Sequence, residues 1–380
     1  MLRRVTVAGA RGLAPLELEL GAVTALIGPR GSGKSQLLAS IAWLTGVGSA
    51  PGGDQVSVSA ELNTAAGSIR SIRRSIGRST EPKADPVGHP TASFLRAKDR
   101  LTGSQDLEDG SVNQALAVRL NGHITSDAAA AEALVGAVED CCTGEVGGEL
   151  VLIEEPELML SPQAQRHLAN LLRMLAESGN QVVYTTRSPA FVDAVHAEEI
   201  VRLDLQPSGA VVRRTESKPL TDVQRLRLAA EFDHERSEMF FARCVILAEG
   251  RTERFALPLV FRALGHDLDA EGISMVEVGG KANLPLVAGV LRDLGIPCVV
   301  VHDTDRGRDP RLDATIEAAV GAERVVRLDP DFEAVTGIRR RDDKVLAAWR
   351  RFSGATPADV PAPLRRMVDL AVALVAPDGG

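Results

Sequence analysis

The spacing of apolar and polar positions changes several times along the chain. Leu16-Glu17-Leu18-Glu19-Leu20 alternates with the two-residue period of a half-buried strand, and Ala22–Ile27 is the short apolar run of a buried one. A glycine-rich turn follows, and QLLASIAWL after it predicts a helix. Residues 49–125 are rich in Gly, Ser and Pro and carry at most two strands and a helix. Residues 126–142 (SDAAAAEALVGAVEDCC) read as helix, Glu149–Ile153 as a buried strand, Pro162–Ser178 as an amphipathic helix and Gln181–Thr186 as another strand. Strand–turn–helix followed by strand–helix–strand describes a largely parallel sheet with helices packed on it.

The pattern changes near residues 205–240. A strand pair around Ile200–Leu205 and Ala210–Thr215 gives way to a charged helix, Asp222–Glu238. Strand–helix alternation then restarts with Cys244–Ala248 (strand), Thr252–Leu264 (helix), Ser274–Val278 (strand), Leu284–Leu294 (helix) and Cys298–His302 (strand). The expected organisation is an α/β domain over 1–239, a second α/β domain over 240–345, and a helical Arg- and Ala-rich tail over 346–380 with no chemistry of its own.

Composition narrows the class. The chain has 380 residues, 44% of them hydrophobic and 25% charged, which is enough to bury sizeable cores. No run approaches the ~18 apolar residues of a membrane span. The opening MLRRVTV has no apolar stretch behind its arginines, so neither a membrane segment nor a signal peptide is expected. Four cysteines without framework or metal-finger spacing fit a reduced, cytoplasmic setting. The net charge of −8 excludes a uniformly basic surface but not a local nucleic-acid groove. Only six of the 43 basic residues are lysine (34, 83, 98, 218, 281 and 344), so a lysine inside a motif carries extra weight. Aromatics make up 3%, which disfavours base-stacking platforms.

Gly28-Pro29-Arg30-Gly31-Ser32-Gly33-Lys34-Ser35 satisfies G-x-x-x-x-G-K-[ST] between a predicted strand and a predicted helix. Its amides would wrap the phosphates of ATP, Lys34 would reach the β- and γ-phosphates, and Ser35 would hold Mg²⁺. The partner acids come from Leu150-Val151-Leu152-Ile153-Glu154-Glu155, an apolar strand ending in two carboxylates. Glu154 is placed to touch the metal and Glu155 to orient or deprotonate the attacking water.

A second constellation lies downstream. Glu249 ends the strand Cys244–Ala248, and Glu253 follows four residues later in the first helical turn. Asp303 and Asp305 end the strand that includes Val299–Val301. Adjacent parallel strands ending this way gather four acids at one sheet edge. Like charges so close call for hard divalent cations such as Mg²⁺ or Mn²⁺.

IEEPELMLSPQAQRHLANLL…QVVYTTRSPAFVD resembles the ABC-type ATPase core of RecF-like, structural-maintenance-of-chromosomes-like and OLD-type (overcoming lysogenisation defect) proteins. E-G-x-x-E followed by D-x-D resembles the TOPRIM domain. An ABC-like P-loop ATPase domain followed by a Rossmann-like TOPRIM domain with a parallel sheet is the arrangement of the OLD family, and the resemblance covers roughly residues 1–345. It implies a catalytic role for Glu249 and metal ligation by Glu249, Glu253, Asp303 and Asp305. It further implies a second-metal role for Glu333, within Asp329-Pro330-Asp331-Phe332-Glu333, and a charge-stabilising role for Lys344. Three features depart from the ATPase pattern. Arg187 stands where such proteins carry a switch histidine. Ile124-Thr125-Ser126-Asp127 lacks the glycine of a signature loop. Lys34 and Glu154 are only 120 residues apart, which leaves no room for a long insertion.

The expected function is an ATP-binding, divalent-metal-dependent DNA endonuclease with slow ATP turnover, acting as a homodimer in phage defence or DNA processing, with or without an accessory protein. The alternative is a RecF-like DNA clamp or regulatory ATPase whose TOPRIM acids are structural. For nucleic-acid contact, residues 66–104 hold eight basic against three acidic residues, including Arg70, Arg73, Arg74 and Arg78, and Arg339-Arg340-Arg341 forms a second basic run.

Overall fold

The computed structural model describes residues 1–46, 51–53, 55–63, 69–76, 83–84, 92–95, 134–136, 138–139, 142, 148–206, 209–215, 221–231, 236–339 and 343–376. The chain forms two units, Met1–Val192 with Glu198–Arg214, and Asp193–Ala197 with Thr215–Gly380.

Among the described residues the first unit holds eleven strands in two sheets. Its strands are β1 (Leu2–Ala8), β2 (Leu16–Glu19), β3 (Val23–Ile27), β4 (Val56–Asn63), β5 (Ile69–Ile76), β6 (Lys83–Ala84), β7 (Ala92–Leu95), β8 (Leu150–Glu154), β9 (Gln181–Thr185), β10 (Ile200–Gln206) and β11 (Gly209–Arg214). One sheet runs β11-β10-β3-β9-β8-β7, parallel except for the β10–β11 hairpin at its edge. The other, β2-β1-β4-β5-β6, is antiparallel where its register is defined. The expectation of at most two strands in residues 49–125 is corrected, since four stand there among the described residues, β4, β5 and β6 in this sheet and β7 in the parallel one. In β4 the side chains of Val56, Val58, Ala60 and Leu62 are buried, while those between them are half-buried, the clean alternation of a one-sided sheet. Strand β1 escapes a periodicity reading because its register shifts between Leu2 and Arg4, so the apolar positions fall out of phase.

Helix α1 (Lys34–Leu44) buries Leu37, Leu38, Ile41 and Trp43 in a core shared with both sheets. Helix α2 (Pro162–Glu177) is capped by Ser161, whose hydroxyl accepts from the Ala164 amide. Because the parallel strands all point the same way, the turn after β3 and the ends of β9 and β8 meet at one sheet edge.

The second unit includes α3 (Asp222–Glu231) and a four-stranded, wholly parallel sheet in the order β13-β12-β14-β15. Its strands are β12 (Cys244–Ala248), β13 (Ile273–Glu277), β14 (Cys298–Asp303) and β15 (Val325–Leu328). The connecting helices are α4 (Arg251–Ala263), α5 (Leu268–Glu271), α6 (Leu284–Asp293), α7 (Pro310–Val320) and α8 (Phe332–Thr336). The C-terminal stretch is helical as expected, but it is not peripheral. Helices α9 (Lys344–Phe352) and α10 (Ala362–Val375) bury Ala348, Phe352, Leu364, Met367, Val368 and Ala371 in one core with α4 and the sheet. Met367→Ala is therefore expected to cost about 2–5 kcal/mol, the range for emptying a filled core site, read as a lower urea midpoint with unchanged slope. A loss below about 0.5 kcal/mol would show that α10 is not part of this core.

Candidate functional site

In the first unit the turn after β3 places three glycines at positive φ (Gly28 at 137°, Gly31 at 81° and Gly33 at 94°), conformations that L side chains rarely adopt. A Cβ on Gly28 would also lie 2.2 Å from the Leu203 carbonyl oxygen. Lys34 is buried, and its ammonium folds back to donate to the carbonyls of Gly28 (2.8 Å) and Pro29 (2.9 Å). Burial first, then the Arg187 charge, push Lys34 down to about 8. An anionic ligand would offset this by favouring the charged form. Pro29, Arg30, Gly31 and Ser35 are exposed and Ser32 is buried.

Glu154 ends β8, and Glu155 follows at φ +46° with its amide donating to Thr185 O. The Arg187 guanidinium pairs with Glu155 at 2.9 Å. Glu157 was not singled out from the sequence, yet it ties this corner together. Its carboxylate accepts from the Arg187 amide (2.7 Å) and the Thr186 hydroxyl (3.0 Å), and burial raises its carboxyl above the ordinary range. β9 lies between β3 and β8, so Arg187 sits between the P-loop and the acidic pair.

In the second unit β12 and β14 are neighbours, with Ala248 opposite Val301, so Glu249 and Asp303 leave the sheet at the same edge. Glu253 and Glu333 are both 7% exposed. Burial raises Asp303 to about 7, with Glu253 and Glu249 adding to it. Burial likewise raises Glu253 to about 7, with Glu249 and Glu333 adding. Glu249 is raised by burial and by Asp305, against an opposing hydrogen bond from the Asp303 amide. These four acids thus share one electrostatic neighbourhood, and Asp305 joins it on the Glu249 side.

Local capping explains the placement. Asp331 caps α8 by accepting from the Ala334 amide, and the same turn presents the Phe332 amide to Asp303 Oδ1 at 2.9 Å. Asp329 accepts from the Thr304 hydroxyl at 2.6 Å, which holds the link between Asp303 and Asp305. Lys344, at the start of α9, pairs with Glu333, and that pairing raises the lysine. Asp305 sits at φ +50°, with the Lys281 ammonium 3.9 Å away.

Among the described residues no three His, Cys, Asp or Glu side chains are gathered tightly enough to form a ready ligand set. The donor chemistry nevertheless fits a hard divalent ion. All five acids are oxygen donors, and Glu249 Oε2 is buried without a hydrogen-bond partner. A pH effect follows. Asp303 and Glu253 take up protons on folding because their folded values lie near 7 and their unfolded values near 4. Metal-free protein is therefore expected to lose stability as pH rises from about 4 to about 7 and to level off above that. Thermal melts in chelator at pH 5 and pH 8 check this, and a higher melting temperature at pH 8 would contradict it.

The basic candidates are divided. Arg74 turns inward, stacking on Trp43 at 5.0 Å and donating to its carbonyl at 2.6 Å, so it serves the fold rather than a ligand. Arg73 is exposed beside Ser57, and Arg339 is exposed after α8. The Arg70 side chain, Arg78, Arg340, Arg341 and Ile124–Asp127 lie outside the described residues.

Comparison with known proteins agrees with this layout. Residues 240–305 match the family model "Overcoming lysogenization defect protein-like, TOPRIM domain", and residues 130–193 match "AAA domain, putative AbiEii toxin, Type IV TA system". The chain is 39% identical over 215 residues to the OLD nuclease of Thermus scotoductus, covering 50% of this chain and 41% of that protein. It is 30% identical over 161 residues to the Old nuclease of Escherichia phage P2, covering 41% and 28%. It is 28% identical over 232 residues to the uncharacterized protein YbjD of Escherichia coli, covering 59% and 40%. Each match spans less than half of the relative's own length.

Proposed function

We propose that this chain, a relative of the OLD nucleases that carries an OLD-like TOPRIM domain after a P-loop ATPase segment, is an ATP-binding, Mg²⁺- or Mn²⁺-dependent endonuclease acting on DNA. The observation that carries this reading is the shared neighbourhood of Glu249, Glu253, Asp303 and Glu333, each raised or buried and with Lys344 paired to Glu333.

Glu249, Glu253, Asp303 and Glu333 would hold divalent ions, with Asp305 contributing from the Lys281 side. Bound there, such ions would supply the positive charge that a phosphodiester needs as its phosphorus is attacked. Glu249, already raised by burial, is suited to accept a proton from the attacking water. Lys344 is about half exposed (49%), so its remaining N–H donors can turn to a phosphoryl oxygen.

In the first unit the amides of Gly28–Ser35 and the Lys34 ammonium would bind the phosphates of ATP, and Ser35 and Glu154 would face its Mg²⁺. Glu155 would orient water for hydrolysis, but Arg187 occupies it, and arginine stays charged where a histidine could exchange a proton. Slow turnover follows. DNA and a second copy of the chain are the proposed partners.

The test is nicking of supercoiled plasmid with Mg²⁺, with Mn²⁺ and with chelator, each with and without ATP. Metal-dependent conversion to nicked or linear DNA is expected. A protein that binds ATP and DNA but cuts under none of these conditions would be a clamp.

A further inference from the structure

Lys281 is buried at 9% exposure, lies outside the acidic motifs, and is one of only six lysines in the chain. It sits in the turn between β13 and α6, where Gly279 and Gly280 take φ values of +69° and +120°. The Asn283 side chain closes this turn by donating to Val278 O at 2.8 Å. From that turn two donors reach the two acid-bearing strand ends. The Gly280 amide donates to the Glu249 carbonyl at 3.0 Å, and the Lys281 ammonium donates to the Asp303 carbonyl at 2.7 Å. Since β13 borders β12 and β12 borders β14, the lysine spans from the end of one edge strand, past its neighbour, to the third.

Asp313 on α7 neutralises the ammonium at 2.8 Å, which accounts for a lysine buried so near the acids. The Asp303 carbonyl also accepts from His302 Nδ1 at 2.8 Å, so two donors fix the peptide from which the acidic turn departs. Asp305, at φ +50°, then lies 3.9 Å from the same ammonium.

We infer that Lys281 is a positioning residue of the acid cluster, bracing the Asp303 strand end beside the Glu249 strand end that the Gly280 amide holds, so that the two carboxylates converge on a divalent cation that the lysine itself does not touch. The inference rests on the metal reading proposed above. Partners that orient ligands commonly change metal affinity by about 10- to 100-fold when removed.

Mn²⁺ binding to the full chain, followed by the loss of the free-ion electron paramagnetic resonance signal, tests this without reference to cleavage. Lys281→Met is expected to weaken Mn²⁺ binding about tenfold or more, and Lys281→Arg, which keeps a cationic donor, to recover most of it. Lys281→Gln keeps an uncharged donor of shorter reach and serves if the methionine variant does not fold, with the same weakening expected. Equal Mn²⁺ affinity in the parent and in Lys281→Met or Lys281→Gln overturns the inference, as does an equal loss in Lys281→Arg. A parent that binds no Mn²⁺ overturns both this inference and the metal reading. A parent that binds while its Lys281 variants bind equally overturns this inference alone.

Discussion

Asp303→Ala is expected to abolish Mn²⁺ stabilisation of the second unit while leaving ATP affinity unchanged. Asp303 ends β14, accepts the Phe332 amide, and is raised to about 7 by burial together with Glu253 and Glu249. Removing it takes one oxygen donor from the cluster and relieves the repulsion on the other two. The metal-free variant should therefore melt at or above the parent's temperature near pH 8, whereas added Mn²⁺ should raise the parent's melting temperature and hardly move the variant's. The P-loop belongs to the other unit, so nucleotide titrations of the two proteins should coincide. Equal Mn²⁺ shifts in parent and variant would remove Asp303 from any metal site.

Lys34→Ala is expected to weaken ATP binding by ~100-fold or more, because hydrogen bonds to a charged partner are worth about 1.5–3 kcal/mol each and the ammonium can make several. The fold should survive, since the alanine relieves a buried charge whose hydrogen-bond partners, the Gly28 and Pro29 carbonyls and the Ser32 hydroxyl, all belong to its own turn. The depressed value near 8 adds a second readout. With the site empty, Lys34 is partly neutral above pH 8, and phosphate charge favours its protonated form. ATP binding at pH 8.5 should thus draw a proton from the buffer, seen by calorimetry as a dependence of the binding heat on buffer ionisation enthalpy. Lys34→Ala should lose that dependence. Undiminished affinity in the variant would contradict the assignment.

The two unit cores and most of the acid cluster were legible because they rest on local signals. A buried parallel strand reads as a continuous apolar run, and the acids that end β8, β12 and β14 directly follow such runs. The antiparallel sheet was less legible. Its β1 carries a register shift, and β4 lies in a Gly- and Ser-rich stretch that hides a regular alternation. Residues that act across strands left no spacing to find. Glu157 reaches residues 186 and 187, and Lys281 reaches residue 303, so each depends on strand order. The rarity of lysine was the available signal for Lys281, though rarity alone does not say which strand end it meets. Arg74 shows the reverse, since a basic residue in a basic stretch turned out to pack on Trp43.

The acids gathered at the ends of β12 and β14 are proposed to make this chain a metal-dependent nuclease. The decisive measurement is the initial rate of supercoiled plasmid nicking by the parent and by Asp303→Ala, purified in parallel and assayed in Mn²⁺ and in chelator. The expected result is nicking by the parent in Mn²⁺ alone and none by Asp303→Ala in either condition. Parent-like nicking by Asp303→Ala, or nicking by the parent in chelator, would contradict it.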